Sequence, residues 1–210
     1  MRKRYCTLLI MSLLAFCVSC KNEKKQETTI SPEDTLPGRK VMAFYPDSTP
    51  GIVHFYKVDA AGNLTPELER EVQYYPNRQK YIDCGYTTVK TDTSILNLKN
   101  GPAYAYFDNG QLQVEAFYVD GKQNGNYKIY REDGNKYLEG AYDMGLRTGK
   151  WKFYDEKGKL VKEGSYDKDI CVGTWTDYGI DGKVRRQVQA DEHTIGCGDC
   201  PKCRKLSHNN

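Results

Sequence analysis

Four copies of a 24-residue unit follow one another through the second half of this chain without an inserted or deleted residue. Gly101, Gly125, Gly149 and Gly173 open them. A second glycine stands nine residues on, at Gly110, Gly134, Gly158 and Gly182, and an aromatic lies between, at Tyr106, Tyr130, Tyr154 and Tyr178. A unit this short cannot enclose a core of its own. It buries its apolar side chains against the units before and after it, so the chain must stack into an array.

The unit itself reads as a β-hairpin. Segments such as Asp108-Asn109-Gly110 and Glu132-Asp133-Gly134 carry turn chemistry, with glycine available for positive φ. They separate short runs rich in aromatic and branched residues, such as Lys150–Tyr154 and Lys159–Tyr166. A second turn, Met144–Gly149 in the third instance, leads into the next unit. The expected fold is all-β, an elongated antiparallel meander of repeated hairpins. Gly140 and Gly164 fall inside return strands, where their missing Cβ leaves room for Trp151 or Trp175 to lie across the backbone. Upstream the pattern degrades. Tyr74 to Tyr86 resembles Tyr106 to Tyr118 with Arg78 in place of the turn glycine, and a still weaker copy is expected to start at Gly51. Residues 40–100 are therefore read as degenerate β units and 101–190 as four regular repeats.

Tyr154, Gly158, Glu163, Gly164 and Tyr166, followed by Gly173, Trp175 and Tyr178, form a pattern that resembles the bacterial variant of the MORN repeat. Proteins of that group are labelled YwqK-type toxin–antitoxin system antitoxins. The resemblance implies a β-hairpin array that serves as an interaction or scaffold module. An antitoxin role is implied by the label alone, and an exported protein is a poor candidate to neutralise a cytoplasmic toxin.

Export is the second expectation. Arg2, Lys3 and Arg4 precede an apolar stretch from Leu8 to Val18 that is too short for an ordinary membrane span and reads as a secretory signal, residues 1–19. Ser19-Cys20 is similar to a bacterial lipobox, although Cys17 stands where such boxes usually carry Leu. Cys20 is the expected lipidation site, with palmitate and the bilayer as its partner, and residues 20–39 form a flexible tether. The alternatives are a plain cleaved signal or an uncleaved anchor. Location is then the bacterial cell envelope, with Lys21 suiting the outer membrane by analogy with known lipoproteins. The chain has 31 basic and 28 acidic residues; removal of Arg2, Lys3 and Arg4 makes it neutral, which argues against a nucleic-acid partner.

Chemistry-bearing residues are few. His54, His193 and His208 show no metal-pair or nucleophile–base spacing, and no enzyme activity is expected. Glu115, Glu139 and Glu163 repeat with the period and read as a ladder paired with lysines. Tyr106, Tyr130, Tyr154 and Tyr178, with Trp151 and Trp175, are either packing between units, the preferred reading, or an exposed binding stripe for a protein or, less favoured, a carbohydrate. The tail, residues 191–210, holds Cys197, Cys200 and Cys203 at two successive C-x-x-C spacings. Disulfides are expected there in an oxidising envelope. The alternative is a zinc site completed by His193, His208, Cys84 or Cys171, which would make the chain a metal-binding or thiol-redox protein. The leading expectation is a lipid-anchored envelope module for an unknown protein partner, with no cofactor.

Overall fold

The computed structural model describes residues 32–190. After a short 3-10 helix, Pro32–Thr35, come thirteen strands: β1 (Arg39–Phe44), β2 (Pro50–Val58), β3 (Leu64–Tyr74), β4 (Lys80–Lys90), β5 (Ile95–Tyr106), β6 (Leu112–Val119), β7 (Lys122–Gln123), β8 (Gly125–Tyr130), β9 (Lys136–Asp143), β10 (Leu146–Tyr154), β11 (Leu160–Asp167), β12 (Ile170–Tyr178) and β13 (Val184–Ala190). All belong to one antiparallel sheet in sequence order, with the two-residue β7 set beside β6. The all-β meander expected from the period is the fold observed.

One turn is used again and again. At Phe107–Gln111 the Phe107 amide donates to the Gln111 carbonyl, and the Gly110 amide donates back to the Phe107 carbonyl. Gly110 has φ 82, and the Asn109 side chain accepts from the Gln111 amide. This is a type I turn closed by a left-handed residue, which is why glycine follows Asn or Asp. The same backbone bonds recur at Arg131–Asn135, Asp155–Lys159 and Gly179–Lys183, and upstream at Tyr75–Gln79 and Tyr45–Thr49. There Arg78 and Ser48 take the left-handed conformation, with φ 69 and 66. The Tyr45 hydroxyl donates to the Tyr74 carbonyl as the Tyr75 hydroxyl donates to Tyr106. The outermost of these turns joins β1 to β2 at Ser48, and β2, which holds the expected start at Gly51, leads into the same turn again at Asp59–Asn63, with Gly62 at φ 85.

The links between units are tighter than expected. Asp120-Gly121, Met144-Gly145 and Lys168-Asp169 each have positive φ at both residues, the two-residue turn whose twist suits a hairpin. Leu146 to Gly149, expected within the turn, belong to β10. The opening glycines are not turn residues. Gly149 and Gly173 have φ 64 and 63 and lie where β10 and β12 shift register against the preceding strand, so each is a β-bulge repeated with the period.

The buried face changes sides along the sheet. Directly opposed residues form one row from Val53 and Val72 through Asp83 and Tyr104 to Glu115, Lys128, Glu139, Lys152 and Glu163. At the β2–β3 end this face is covered, and Val53, Val72 and Phe55 are buried. Glu33 reaches over to Arg70, Tyr74 and Lys80 at 2.9, 3.2 and 2.7 Å, holding the Pro32–Thr35 turn on that face. Residues 32–39, expected as the end of a tether, are therefore part of the folded unit. The opposite face is already buried at Cys84 on β4 and Ala116 on β6, and from β8 onward it is the core. Trp151, Tyr166, Cys171 and Trp175 cluster there, with Tyr127, Tyr142 and Phe153 against them.

The tryptophan–glycine expectation holds in detail. A Cβ on Gly140 would lie 2.2 Å from Trp151 Cδ2, and one on Gly164 would lie 2.0 Å from Trp175 Cδ2. Edge-to-face contacts join Tyr127, Tyr142, Trp151, Tyr166 and Trp175 into a continuous series, with centroids 5.1 to 5.8 Å apart.

Candidate functional site

The repeated residues divide between the two faces. Trp151 and Trp175 are each 3 % exposed, so neither offers a ring to a partner and the exposed-stripe reading is corrected for both. They are packing between units, because a glycine on the preceding strand admits each indole against the backbone.

The tyrosines lie on the other face and are tied down. The hydroxyl of Tyr130 donates to Glu115 at 3.5 Å, that of Tyr154 to Glu139 at 2.5 Å and that of Tyr178 to Glu163 at 3.0 Å. Each pair is fifteen residues apart and spans two neighbouring units. The same carboxylates bind lysines: Lys128 to Glu115 at 3.1 Å, Lys136 to Glu139 at 2.7 Å and Lys150 to Glu163 at 2.9 Å. Along the row, Glu115, Lys128, Glu139, Lys152 and Glu163 alternate in sign, so Lys128, Glu139 and Lys152 each face opposite charge on both neighbouring strands, while the row ends at Tyr104 beside Glu115 and Thr176 beside Glu163. Tyr106, at the start of the series, has its ring 6.4 Å from Tyr104.

Electrostatics follow from this pairing. Burial acts to raise Glu139, but hydrogen bonds from Lys136 and Tyr154 outweigh it and hold the carboxyl below its ordinary range. For Glu163 the hydrogen bond from Lys150 is the largest influence, and it too is lowered. Tyr154 is pushed up, first by burial and then by its bond to a carboxylate. These acids are ionised and occupied, the reverse of a carboxyl held protonated for general acid catalysis.

His54 bonds to Tyr56 at 3.1 Å and to Glu71 at 2.8 Å, and Glu71 stands directly opposite Cys84. Burial pushes the Cys84 thiol up to about 11, which keeps it protonated at neutral pH and makes it a packing group rather than a nucleophile. Cys171 on β12 is disulfide-bonded. Among the described residues no group of three or more His, Cys, Asp or Glu is placed to hold a metal ion. The lipidation candidate Cys20 and the tail candidates His193, Cys197, Cys200 and Cys203 lie outside the described residues.

Sequence reasoning found the glutamates and the tyrosines as two separate series and missed that they are partners. The available signal was their common period together with a constant offset across the unit boundary.

No curated protein matches the chain. A family model described as MORN repeat variant matches residues 99–120 and 147–168, the first falling on β5–β6 and the second on β10–β11. These two segments are similar to MORN repeat variant units, and they point to a repeat-based interaction or scaffold module.

Proposed function

We propose that this chain is a non-catalytic scaffold, lipidated at Cys20 and held at the bacterial cell envelope, that presents its array to a protein partner. The observation that carries the reading is the internal pairing of the repeated chemistry. The glutamates, lysines and tyrosines that recur with the period bind one another across strands, which stiffens the sheet and leaves recognition to residues that depart from the pattern. An Arg-flanked apolar leader ending at Ser19-Cys20, followed by the polar run Lys21 to Thr29, supports the anchor. Lys21 supports the outer membrane over the inner one.

The anchor is tested by growth with labelled palmitate. Wild-type protein incorporates the label and Cys20→Ala loses it and accumulates uncleaved; label retained by the variant removes the assignment. The scaffold role is tested by photo-crosslinkers placed singly at Lys128, Lys152 and Arg186. A discrete adduct confined to one face supports it, and an absence of adducts at all three positions counts against it.

A further inference from the structure

The array breaks its own rule at one place. In the second and third units the face that carries the ion-pair row is filled by Lys150, Lys152, Glu163 and the small residues Ala141 and Ser165. Two periods before the third unit, in the first, the equivalent places hold Pro102 for Lys150, Tyr104 for Lys152 and Phe117 for Ser165. Two lysines are thus replaced by rings and a small residue by a large one. Phe117 is 45 % exposed, so this ring adds little to the core.

The same place adjoins the bulge at the first boundary between units. β6 and β8 pair directly only at Val114 with Ile129 and Glu115 with Lys128. Next comes the bulge at Gly125 (φ 96), past which the Asn124 amide donates to the Phe117 carbonyl and β7 pairs with β6. Over this bulge the rings rim a shallow, open cleft of about 450 Å³ lined by Pro102, Tyr104, Glu115, Phe117, Asn124 and Asn126, within the size range of small-ligand sites.

Its polar groups are unspent. Glu115 meets Lys128 and Tyr130 through Oε2, which leaves Oε1 to accept. The Tyr104 hydroxyl and the Asn126 side chain make no hydrogen bond among the described residues. Phe117 stands directly opposite Pro102 and Tyr104 directly opposite Glu115, so rings, amide and carboxylate share one face.

We infer that this cleft binds a neutral pyranose ring of a glycan. A flat apolar ring suits the C–H face of a sugar, while an amide that both donates and accepts and a carboxylate that only accepts suit adjacent hydroxyls. Anionic ligands are disfavoured by Glu115, and Lys128, the cation nearest to it, is already engaged. This inference stands on the cleft alone and holds whether or not Cys20 carries lipid.

The test is titration calorimetry of the purified full chain with maltotetraose and, separately, N-acetylchitotetraose. One-to-one saturable binding with a Kd below about 1 mM is expected for at least one of them. Phe117→Ala and Asn126→Ala should each weaken it at least about tenfold. Ile180→Ala, at an exposed turn far along the chain, should leave it unchanged. Phe117→Ala should melt within about 3 °C of wild type, since surface substitutions cost little. No saturable heat with either oligosaccharide at about 10 mM, or undiminished affinity in Phe117→Ala, overturns the inference.

Discussion

At the scale of the residue, Gly164 and Gly140 are sensitive positions in the regular repeats, because the space a methyl group needs is already filled by an indole. Gly164→Ala would set a Cβ 2.0 Å from Trp175, and the ring must leave its place. We expect a loss of about 3 kcal/mol in urea unfolding. Gly62→Ala is the comparison. Gly62, unlike Gly164, has positive φ, but nothing lies within 4 Å of its added Cβ, so only the backbone conformation is penalised, at about 1 kcal/mol. Trp151→Ala should likewise cost about 3 kcal/mol, whereas an exposed binding residue would cost almost nothing. Equal stability of wild type and Trp151→Ala would contradict its place in the core.

At the scale of the element, the hairpin unit should be removable in whole numbers. Deleting Gly125 through Thr148 joins Asn124 to Gly149, two points at equivalent places in the period. Lys152 then faces Glu115 as Lys128 did, and the alternation of charge is kept. The indole is less well served, since Trp151 would lie over Ala116 rather than Gly140. We therefore expect the deletion protein to unfold in one cooperative transition and to gain stability from Ala116→Gly. In the full-length chain the same substitution should cost about 0.5–1 kcal/mol, as glycine does within a strand. A deletion of half that length turns every downstream strand to the wrong place in the row and should abolish cooperative unfolding. Circular dichroism melts of these four variants and the wild type decide the matter.

At the scale of the whole folded unit, the N-terminal turn works as a clasp sensitive to acid. Asp83 accepts from Arg70 at 2.6 Å and from Lys80 at 3.0 Å, and Glu33 accepts from both. Burial acts to raise both carboxyls, but these bonds outweigh it and hold both below their ordinary values. A depressed folded pKa stabilises above the unfolded value, about 4 for these groups, and the benefit is lost as pH falls through the folded value. The melting temperature should therefore drop between about pH 4 and pH 2. Asp83→Asn should shrink that drop, at a cost near neutral pH of about 1–3 kcal/mol for the lost charged hydrogen bonds. A wild-type and variant pair with parallel pH profiles would mean that the clasp does not link to folding.

The amino-acid sequence alone determined the hairpin, its period and its closest packing contact. Gly110, Asn109 and their copies specify a turn through local backbone chemistry, and Gly140 with Trp151 announces a ring over a bare backbone. Both signals lie within one or two strands, where covalent neighbours decide the outcome. Arg78 and Ser48 show the limit, since only the bonded frame of the hairpin compels a side-chain-bearing residue into the left-handed region. The opening glycines are a second limit. A positive-φ glycine reads the same in a turn and in a bulge, and the pairing of β10 with β9 is what distinguishes them. The partnership of Tyr154 with Glu139 needed the strands to be laid side by side. Tertiary structure alone decided which face is buried. An alternating strand has two faces, and the choice depends on what arrives to cover one of them. Here that is Glu33 and its turn, from 37 residues before Arg70, at one end, and the neighbouring units' aromatics at the other.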